Sequence, residues 1–216
     1  MDFPIKIKTI FRSLQYRNYR LFFTGQSISL IGTWMQRIAM PWLVYHMTGS
    51  AFLLGVVSFA GQIPTFILAP FGGVLTDRWS RYRVLLGTQI ISLIQAFILA
   101  ILALTGVIQV WHIVVLSIVL GCVNAFDVPS RHSFVIEMVE KKEDIGNAIA
   151  LNSMMFNGAR LIGPSLAGIM LATTGEGICF LINAISYIFV IMSLMMMQTV
   201  KRALPISLRG IPKGIG

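Results

Sequence analysis

The sixteen residues FGGVLTDRWSRYRVLL, at positions 71–86, place two glycines, an aspartate and three arginines between two long apolar runs. This concentration of charge is unusual here, because 56% of the 216 residues are hydrophobic and only 12% are charged. The mean hydropathy of +0.80 is far above that of a soluble domain of this length. The stretch therefore predicts a polar turn between two membrane-spanning helices.

Six apolar runs are long enough to cross a hydrocarbon layer about 30 Å thick, which takes about 20 residues in a helix. Short turns separate them, so neighbouring spans are expected to be antiparallel. Arg37 and Arg160 are the only Lys, Arg, Asp or Glu residues inside these runs. The predicted spans are residues 21–44, 51–75, 84–106, 107–126, 145–173 and 177–200.

Basic residues are found on one side of the predicted membrane. Fifteen of the 17 lysines and arginines lie in the stretches 1–20, 78–83, 131–142 and 201–213, and the alternate connections contain none. The positive-inside rule then predicts a bacterial-type inner-membrane protein with both termini in the cytoplasm. We expect three regions: an interfacial N-terminal segment at 1–20, a transmembrane bundle at 21–200, and a basic cytoplasmic tail or linker at 201–216.

Several function classes are disfavoured by the sequence. The net charge of +9 does not indicate nucleic-acid binding, because the cations flank apolar helices instead of forming one basic face. Cys122 and Cys179 lie inside spans without metal-ligand spacing, so no disulfide, metal or cofactor is expected. No nucleophile and base pair or H-E-x-x-H motif indicates an enzyme.

The turn after the second span resembles the signature loop of the major facilitator superfamily, Gly-x-Leu-x-Asp-Arg/Lys-x-Gly-Arg/Lys-Arg/Lys. Ser80 stands where that family usually has glycine, and Tyr82 stands at the second basic position. The other positions that define the motif carry the expected residue types. The matching residues are Gly73, Leu75, Asp77, Arg78 and Arg81.

In this superfamily, the loop forms a charge cluster with an acidic residue at the end of the fourth helix. Asp127 lies near the end of the fourth predicted span, and Arg131 follows one turn later. The resemblance therefore implies a cytoplasmic gate that includes Asp77, Arg81 and Asp127. The alternative is a local pair between Asp127 and Arg131 that closes the helix end.

The fifth span, in the stretch NSMMFNGARLIGPSLAGIM at 152–170, resembles a small-residue motif of antiporters in the same superfamily. Its helix-packing residues would be Gly163, Pro164 and Gly168, although glycine and proline are also common in transmembrane helices generally. The sequence as a whole resembles the bacterial branch of this superfamily that includes the enterobactin exporter and macrolide efflux proteins. That branch implies export of a small molecule, often with proton coupling.

Polar residues within the spans predict a solute path. A charge in mid-membrane usually faces a cavity, and helical spacing places Asn157 with Arg160 on one face and Thr33 with Arg37 on another. An unpaired cationic cavity beside Trp34 suits an amphipathic, anionic or aromatic solute. Alternatively, Arg37 extends to the interface and Arg160 only holds neighbouring helices together. The predicted path consists of Gln26, Thr33, Trp34, Arg37, Gln62, Asn124, Asn157 and Arg160.

The predicted fold is an all-α membrane protein, a bundle of six transmembrane helices that corresponds to the N-terminal half of the superfamily fold. It would contain two inverted three-helix repeats, at 1–106 and 107–200, and would work by alternating access with a second six-helix bundle or a second copy. The competing hypothesis is a truncated, non-transporting membrane protein or assembly partner. Since spans one, two, three, five and six contain no acid and Asp127 lies at the edge of the fourth, a proton carrier would be Asp127 or lie outside this chain.

Overall fold

A computed structural model describes residues 10–197, apart from the side chains of residues 72–78. The predicted tail at 201–216 and the first nine residues lie outside the described part. A short 3-10 helix, Arg12–Gln15, precedes six long helices. These are α1 (Arg17–Thr48), α2 (Ala51–Arg78), α3 (Arg81–Leu104), α4 (Val110–Glu137), α5 (Lys142–Thr173) and α6 (Glu176–Met195).

The prediction of an all-α six-helix bundle is confirmed, and residues 10–197 contain no strand. The uncharged run that predicts the fourth span ends at residue 126, and α4 continues beyond it to Glu137. Phe134 and Val135 are buried in this extension, so packing against the bundle keeps it helical. Asp127 consequently lies within α4 and not at its end.

Four of the helices, α2, α3, α4 and α6, are long and apolar enough to cross a membrane by length and composition. The other two, α1 and α5, are the longest, at 32 residues each. They are more polar because they carry Arg37 and Arg160 and several amide side chains. These two helices carry six of the eight predicted path residues.

The helix packing follows an internal twofold pattern. The largest contacts of α1 are with α6 and α5, those of α4 are with α3 and α2, and α3 also packs against α6. Exchanging α1 with α4, α2 with α5 and α3 with α6 reproduces this set of pairs. Since each repeat has three antiparallel helices, the second begins at the opposite end of the bundle. The contacts thus agree with two inverted three-helix repeats.

Glycines allow close helix approaches in corresponding helix pairs of the two repeats. A Cβ atom added to Gly121 on α4 would lie 2.5 Å from the carbonyl oxygen of Gly61 on α2. A Cβ atom on Gly163 of α5 would overlap Trp34 on α1 and lie 3.0 Å from the Ile31 carbonyl oxygen. The sequence also predicted Gly168 as a packing residue, but a Cβ there would meet no described atom within 4 Å.

Replacing Gly121 with alanine is expected to destabilise the bundle by about 1–3 kcal/mol, since backbone atoms of α2 and α4 would have to separate. Gly168→Ala is the matched control, because the added methyl group is unobstructed and alanine favours helix by up to about 1 kcal/mol. Thermal unfolding in detergent, followed by circular dichroism, measures both. Equal melting temperatures for the two variants would contradict the close α2 and α4 contact.

The segment before α1, expected to lie along the membrane surface, also packs against the start of α5. The Arg12 guanidinium forms an ion pair with the buried Asp144 carboxylate, and the Tyr16 hydroxyl donates a hydrogen bond to it at 2.7 Å. The Ser13 hydroxyl donates to the Asp144 carbonyl oxygen at 3.0 Å. The carboxylate raises the pKa of Tyr16 by accepting this bond from the neutral phenol. The segment therefore joins the two repeats at this end.

Candidate functional site

Two arginines and a tryptophan form a cluster between α1 and α5. The guanidinium carbon of Arg37 lies 4.6 Å from the centroid of the Trp34 ring, and that of Arg160 lies 5.7 Å from it. Both distances are within the range of cation–π contacts. The helices α1 and α5 start at the same end of the bundle, and each arginine is near the middle of its helix. The predicted residues Trp34, Arg37 and Arg160 therefore do come together.

Close helix packing and an aromatic contact hold the tryptophan in position. The approach at Gly163 brings α5 against the Trp34 Cβ atom. The Phe156 ring packs edge-on against the indole, with the ring centroids 5.7 Å apart. Trp34 is half-buried as a result. The indole is thus a fixed surface beside which the two longer, exposed arginine side chains lie.

Neither arginine forms an ion pair with a described residue. Both side chains are exposed on the bundle surface. The paired carboxylates of the described bundle have other partners: Asp127 with Arg131, Glu137 with Arg81, Asp144 with Arg12, and Glu176 with His46. Two like charges beside one aromatic ring, with no acidic partner, leave a site whose electrostatic complement is an anion.

The other predicted path residues lie at varied depths. Asn157 is exposed on α5, about one turn from Arg160, and its amide donates to the Ser153 carbonyl oxygen at 2.9 Å. Thr33 is half-buried, and its hydroxyl oxygen is 3.1 Å from that of Tyr187. Gln26 is 1% exposed, so it is inside the bundle and not accessible to a solute.

Two further predicted path residues lie on other helices. Gln62 is exposed on α2, whose main contact is with α4. Asn124 is half-buried on α4. The described contacts thus bring Trp34, Arg37 and Arg160 together, and no described contact joins Gln62 or Asn124 to that cluster.

A buried chain of amide side chains links four helices. The Asn183 amide of α6 donates to Gln36 of α1 at 2.8 Å, and Gln36 donates to Gln95 of α3 at 2.9 Å. Gln95 in turn donates to the Leu116 carbonyl oxygen of α4 at 3.3 Å. The path predicted from the sequence did not include Gln36, Gln95 or Asn183. Their signal was available, because uncharged amides in apolar spans need partners inside the bundle.

The amide chain defines which helices form a fixed unit. It connects α1, α3, α4 and α6 through side chains that are at most 2% exposed. In contrast, α2 and α5 are outside it. A satisfied polar network in a low-dielectric interior favours one arrangement of the helices that it joins. The amide chain therefore holds these four helices together, and Arg160 lies on α5, outside this linked set.

Comparison with known proteins identifies the family. Residues 8–215 match the family described as transmembrane secretion effector. The chain belongs to this family of the major facilitator superfamily. It is accordingly a multi-pass membrane protein from a group of transporters and not of enzymes, as the sequence predicted.

Relatives within the superfamily include named exporters and transporters. The chain is 26% identical to the staphyloferrin A transporter of Staphylococcus aureus over 80% of this chain and 44% of the relative. It is 25% identical to macrolide efflux protein A of Streptococcus pyogenes, over 72% and 39% of the two chains. For the multidrug efflux pump Tap of Mycolicibacterium fortuitum, the identity is 27% over 64% and 35%. The chain spans less than half the length of these relatives.

The superfamily's gate residues are only partly described. Asp127 is buried, and its carboxylate accepts hydrogen bonds from Thr88 at 2.9 Å and from Gln89 at 2.7 Å, both on α3. Arg131 forms an ion pair with the other carboxylate oxygen. The local pair that was the alternative to a gate is therefore present, and it is supplemented by two donors from another helix that the sequence did not predict.

The signature loop itself contributes one described ion pair. Arg81 at the start of α3 lies 2.6 Å from the Glu137 carboxylate at the end of α4. Gly73 and the side chains of Asp77 and Arg78 lie outside the described residues. The predicted cluster of Asp77, Arg81 and Asp127 therefore stays a prediction. The described contacts show that α3 and α4 are joined at this end by the hydrogen bonds from Thr88 and Gln89 to the buried Asp127 carboxylate and by the ion pair of Arg81 with Glu137.

Proposed function

We propose that this chain forms one six-helix half of a secondary transporter that exports a small anionic or amphipathic solute by alternating access. The observation that carries the proposal is the unpaired cationic cluster of Arg37 and Arg160 beside Trp34. It lies at mid-helix, where transporters of this superfamily hold their substrates between two halves. The family and the named relatives support transport over the alternative of a non-transporting assembly partner.

The cluster offers complementary contacts to a solute with a carboxylate or similar anionic group and an apolar part. A guanidinium can bind such a group through two parallel hydrogen bonds. The Trp34 ring offers an apolar face to the remainder of the molecule. The cost of keeping two cations in a membrane interior is lowest when an anion joins them, so binding is expected to favour anionic over cationic solutes.

A second six-helix bundle, either on the same polypeptide or from a second copy, would complete the site. The helices α2 and α5 each expose large apolar side chains, including Phe52 at 78%, Phe66 at 81% and Leu161 at 74%. These two helices are also the ones outside the amide chain. We propose that they contact the second bundle, and that movement between the bundles opens the cluster to either side of the membrane.

We further propose that the protein lies in a bacterial-type inner membrane with both termini in the cytoplasm. The connections at residues 49–50, 105–109 and 174–175 contain no lysine or arginine. The opposite end carries Arg12, Arg20, Arg83, Lys141 and Lys142. The positive-inside rule assigns that basic end to the cytoplasm.

Proton coupling is a further part of the proposal. Asp127 is a buried carboxylate about three turns before the end of α4, whereas the buried Asp144 lies in the first turn of α5. A proton that binds Asp127 would compete with Arg131 and with the hydrogen-bond donors Thr88 and Gln89 of α3, and so would alter the contact between α3 and α4. The alternative carrier is a group on the second bundle.

Dye transport by inside-out vesicles from cells that express the native gene tests the function. Carboxyfluorescein, an anionic aromatic dye, is expected to accumulate in energised vesicles faster than in vesicles from cells with an empty vector. Ethidium, a cationic aromatic dye, is the matched control for charge. Nigericin, which collapses a pH gradient, is expected to stop the accumulation. Equal carboxyfluorescein uptake with and without the protein would contradict the proposal.

A further inference from the structure

A cavity separate from the Trp34 cluster lies between a different pair of helices. It is a groove of about 780 Å³ between α3 and α4, at the basic end of the bundle. This volume is within the range of cavities that hold small organic ligands. Its walls come from residues 79–91 on one side and 122–126 on the other. None of the predicted path residues lines it.

The groove is polar at one end and apolar along its length. Trp79, Ser80 and Arg83 line the mouth, and Ile91 and Phe126 lie deeper. Thr88 also lines the groove, but its hydroxyl donates to the buried Asp127 carboxylate at 2.9 Å. The deeper wall therefore offers little polar surface to a ligand.

The dimensions of the groove correspond to one leaflet of a bilayer. Eleven helical residues separate Ser80 from Ile91, and a rise of 1.5 Å per residue makes this about 16 Å. Half of a hydrocarbon layer about 30 Å thick is about 15 Å. The mouth is at the start of α3, where tryptophan and arginine are typical of the membrane interface.

Charge complementarity identifies the occupant. The Arg83 side chain is exposed and forms no ion pair with the described residues. Gly87 leaves the middle of the groove open, because a Cβ atom there would meet no described atom within 4 Å. A ligand that fits would have an anionic head beside Arg83 and an acyl chain that passes Gly87 toward Ile91.

We propose that this groove is a binding site for one anionic phospholipid, with its phosphate beside Arg83 and one acyl chain between α3 and α4. The site is separate from the solute cluster and does not depend on the export function. Phosphatidylglycerol should therefore bind more tightly than phosphatidylcholine with identical chains, because only the former has a net negative head group.

Native mass spectrometry of the purified full chain, titrated with each lipid, measures the fraction of the protein that keeps a bound lipid molecule. Arg83→Gln is expected to weaken phosphatidylglycerol binding about fivefold, the effect of one basic residue near an anionic head group. Arg20→Gln, an exposed arginine at the same end of the bundle, is the matched control and should change it little. An equal loss of phosphatidylglycerol binding in both variants would indicate general attraction of the lipid to the basic surface and would contradict a specific site at Arg83.

A second pair of variants tests the acyl-chain part of the groove. Gly87→Phe would fill the groove and is expected to reduce phosphatidylglycerol retention by at least about tenfold. Gly55→Phe is the control, since Gly55 on α2 is equally unobstructed but lies outside the groove. Unchanged retention in Gly87→Phe would place the bound lipid elsewhere and contradict the proposal.

The unmodified protein gives a test that does not depend on the folding of a variant. Cys122 lines the groove and is half-buried, whereas Cys179 is fully buried and acts as an internal reference. Alkylation of Cys122 by a maleimide is expected to slow severalfold with phosphatidylglycerol and little with phosphatidylcholine. Equal rates in the two lipids would overturn the preference for an anionic head group.

Discussion

Replacing Arg160 with alanine is expected to weaken the binding of an anionic aromatic ligand about tenfold to one-hundredfold. A hydrogen bond to a charged group contributes about 1.5–3 kcal/mol, and each 1.4 kcal/mol corresponds to about tenfold in Kd. Fluorescence anisotropy of carboxyfluorescein with the purified protein measures the change. Arg160→Lys, which keeps the charge but loses the planar fork, should give an intermediate Kd.

A double-mutant cycle with Arg37 distinguishes a shared site from two independent cations. If both guanidinium groups contact one ligand beside Trp34, the combined effect of Arg37→Ala and Arg160→Ala should differ from the sum of the single effects. Arg20→Ala serves as the control for general loss of positive charge. An unchanged Kd in Arg160→Ala would remove this residue from the binding site and favour a role in holding the helices together.

Replacing Asp127 with alanine is expected to destabilise the bundle by about 3–5 kcal/mol. The change leaves the Arg131 guanidinium, whose side chain is 13% exposed, without its carboxylate, and it also removes the acceptor of Thr88 and Gln89. Chemical unfolding in detergent, followed by tryptophan fluorescence, measures the loss.

The ion pair of Arg81 and Glu137 supplies the control for this prediction. It joins the same two helices, but Glu137 is 40% exposed, so Glu137→Ala should cost at most about 1 kcal/mol. The double variant Asp127→Leu with Arg131→Met should recover much of the stability lost in Asp127→Ala, since no unpaired charge stays buried. Equal losses of unfolding free energy in Asp127→Ala and Glu137→Ala would show that burial does not decide how much each ion pair contributes to stability.

Much of the fold could be predicted from the sequence because the membrane imposes a length and polarity rule on every span. The uncharged runs gave six helices in the correct order. At α4, however, the end of the uncharged run at residue 126 is not the end of the helix. A membrane-spanning run ends where the polar surface begins, but the helix continues to Glu137 because Phe134 and Val135 still pack against the bundle.

The candidate site was predictable only in part for a related reason. Trp34 and Arg37 are three residues apart on one helix, and Arg160 is the single charge of the fifth span, so spacing and composition identified them. Contacts between helices depend on their relative depth and rotation, which a single sequence does not specify. For that reason the amide chain through Gln95 and Asn183 and the donors to Asp127 became visible only in the structure.

The most direct test of the central claim is the rate of carboxyfluorescein transport by Arg160→Ala, compared with wild type at equal protein levels in the membrane. If Arg160 and Arg37 bind the solute beside Trp34, the rate at low dye concentration should fall below about one-tenth of wild type, following the loss of affinity. Transport at the full rate, with the variant present in normal amount, would contradict the assignment of this cluster as the solute site.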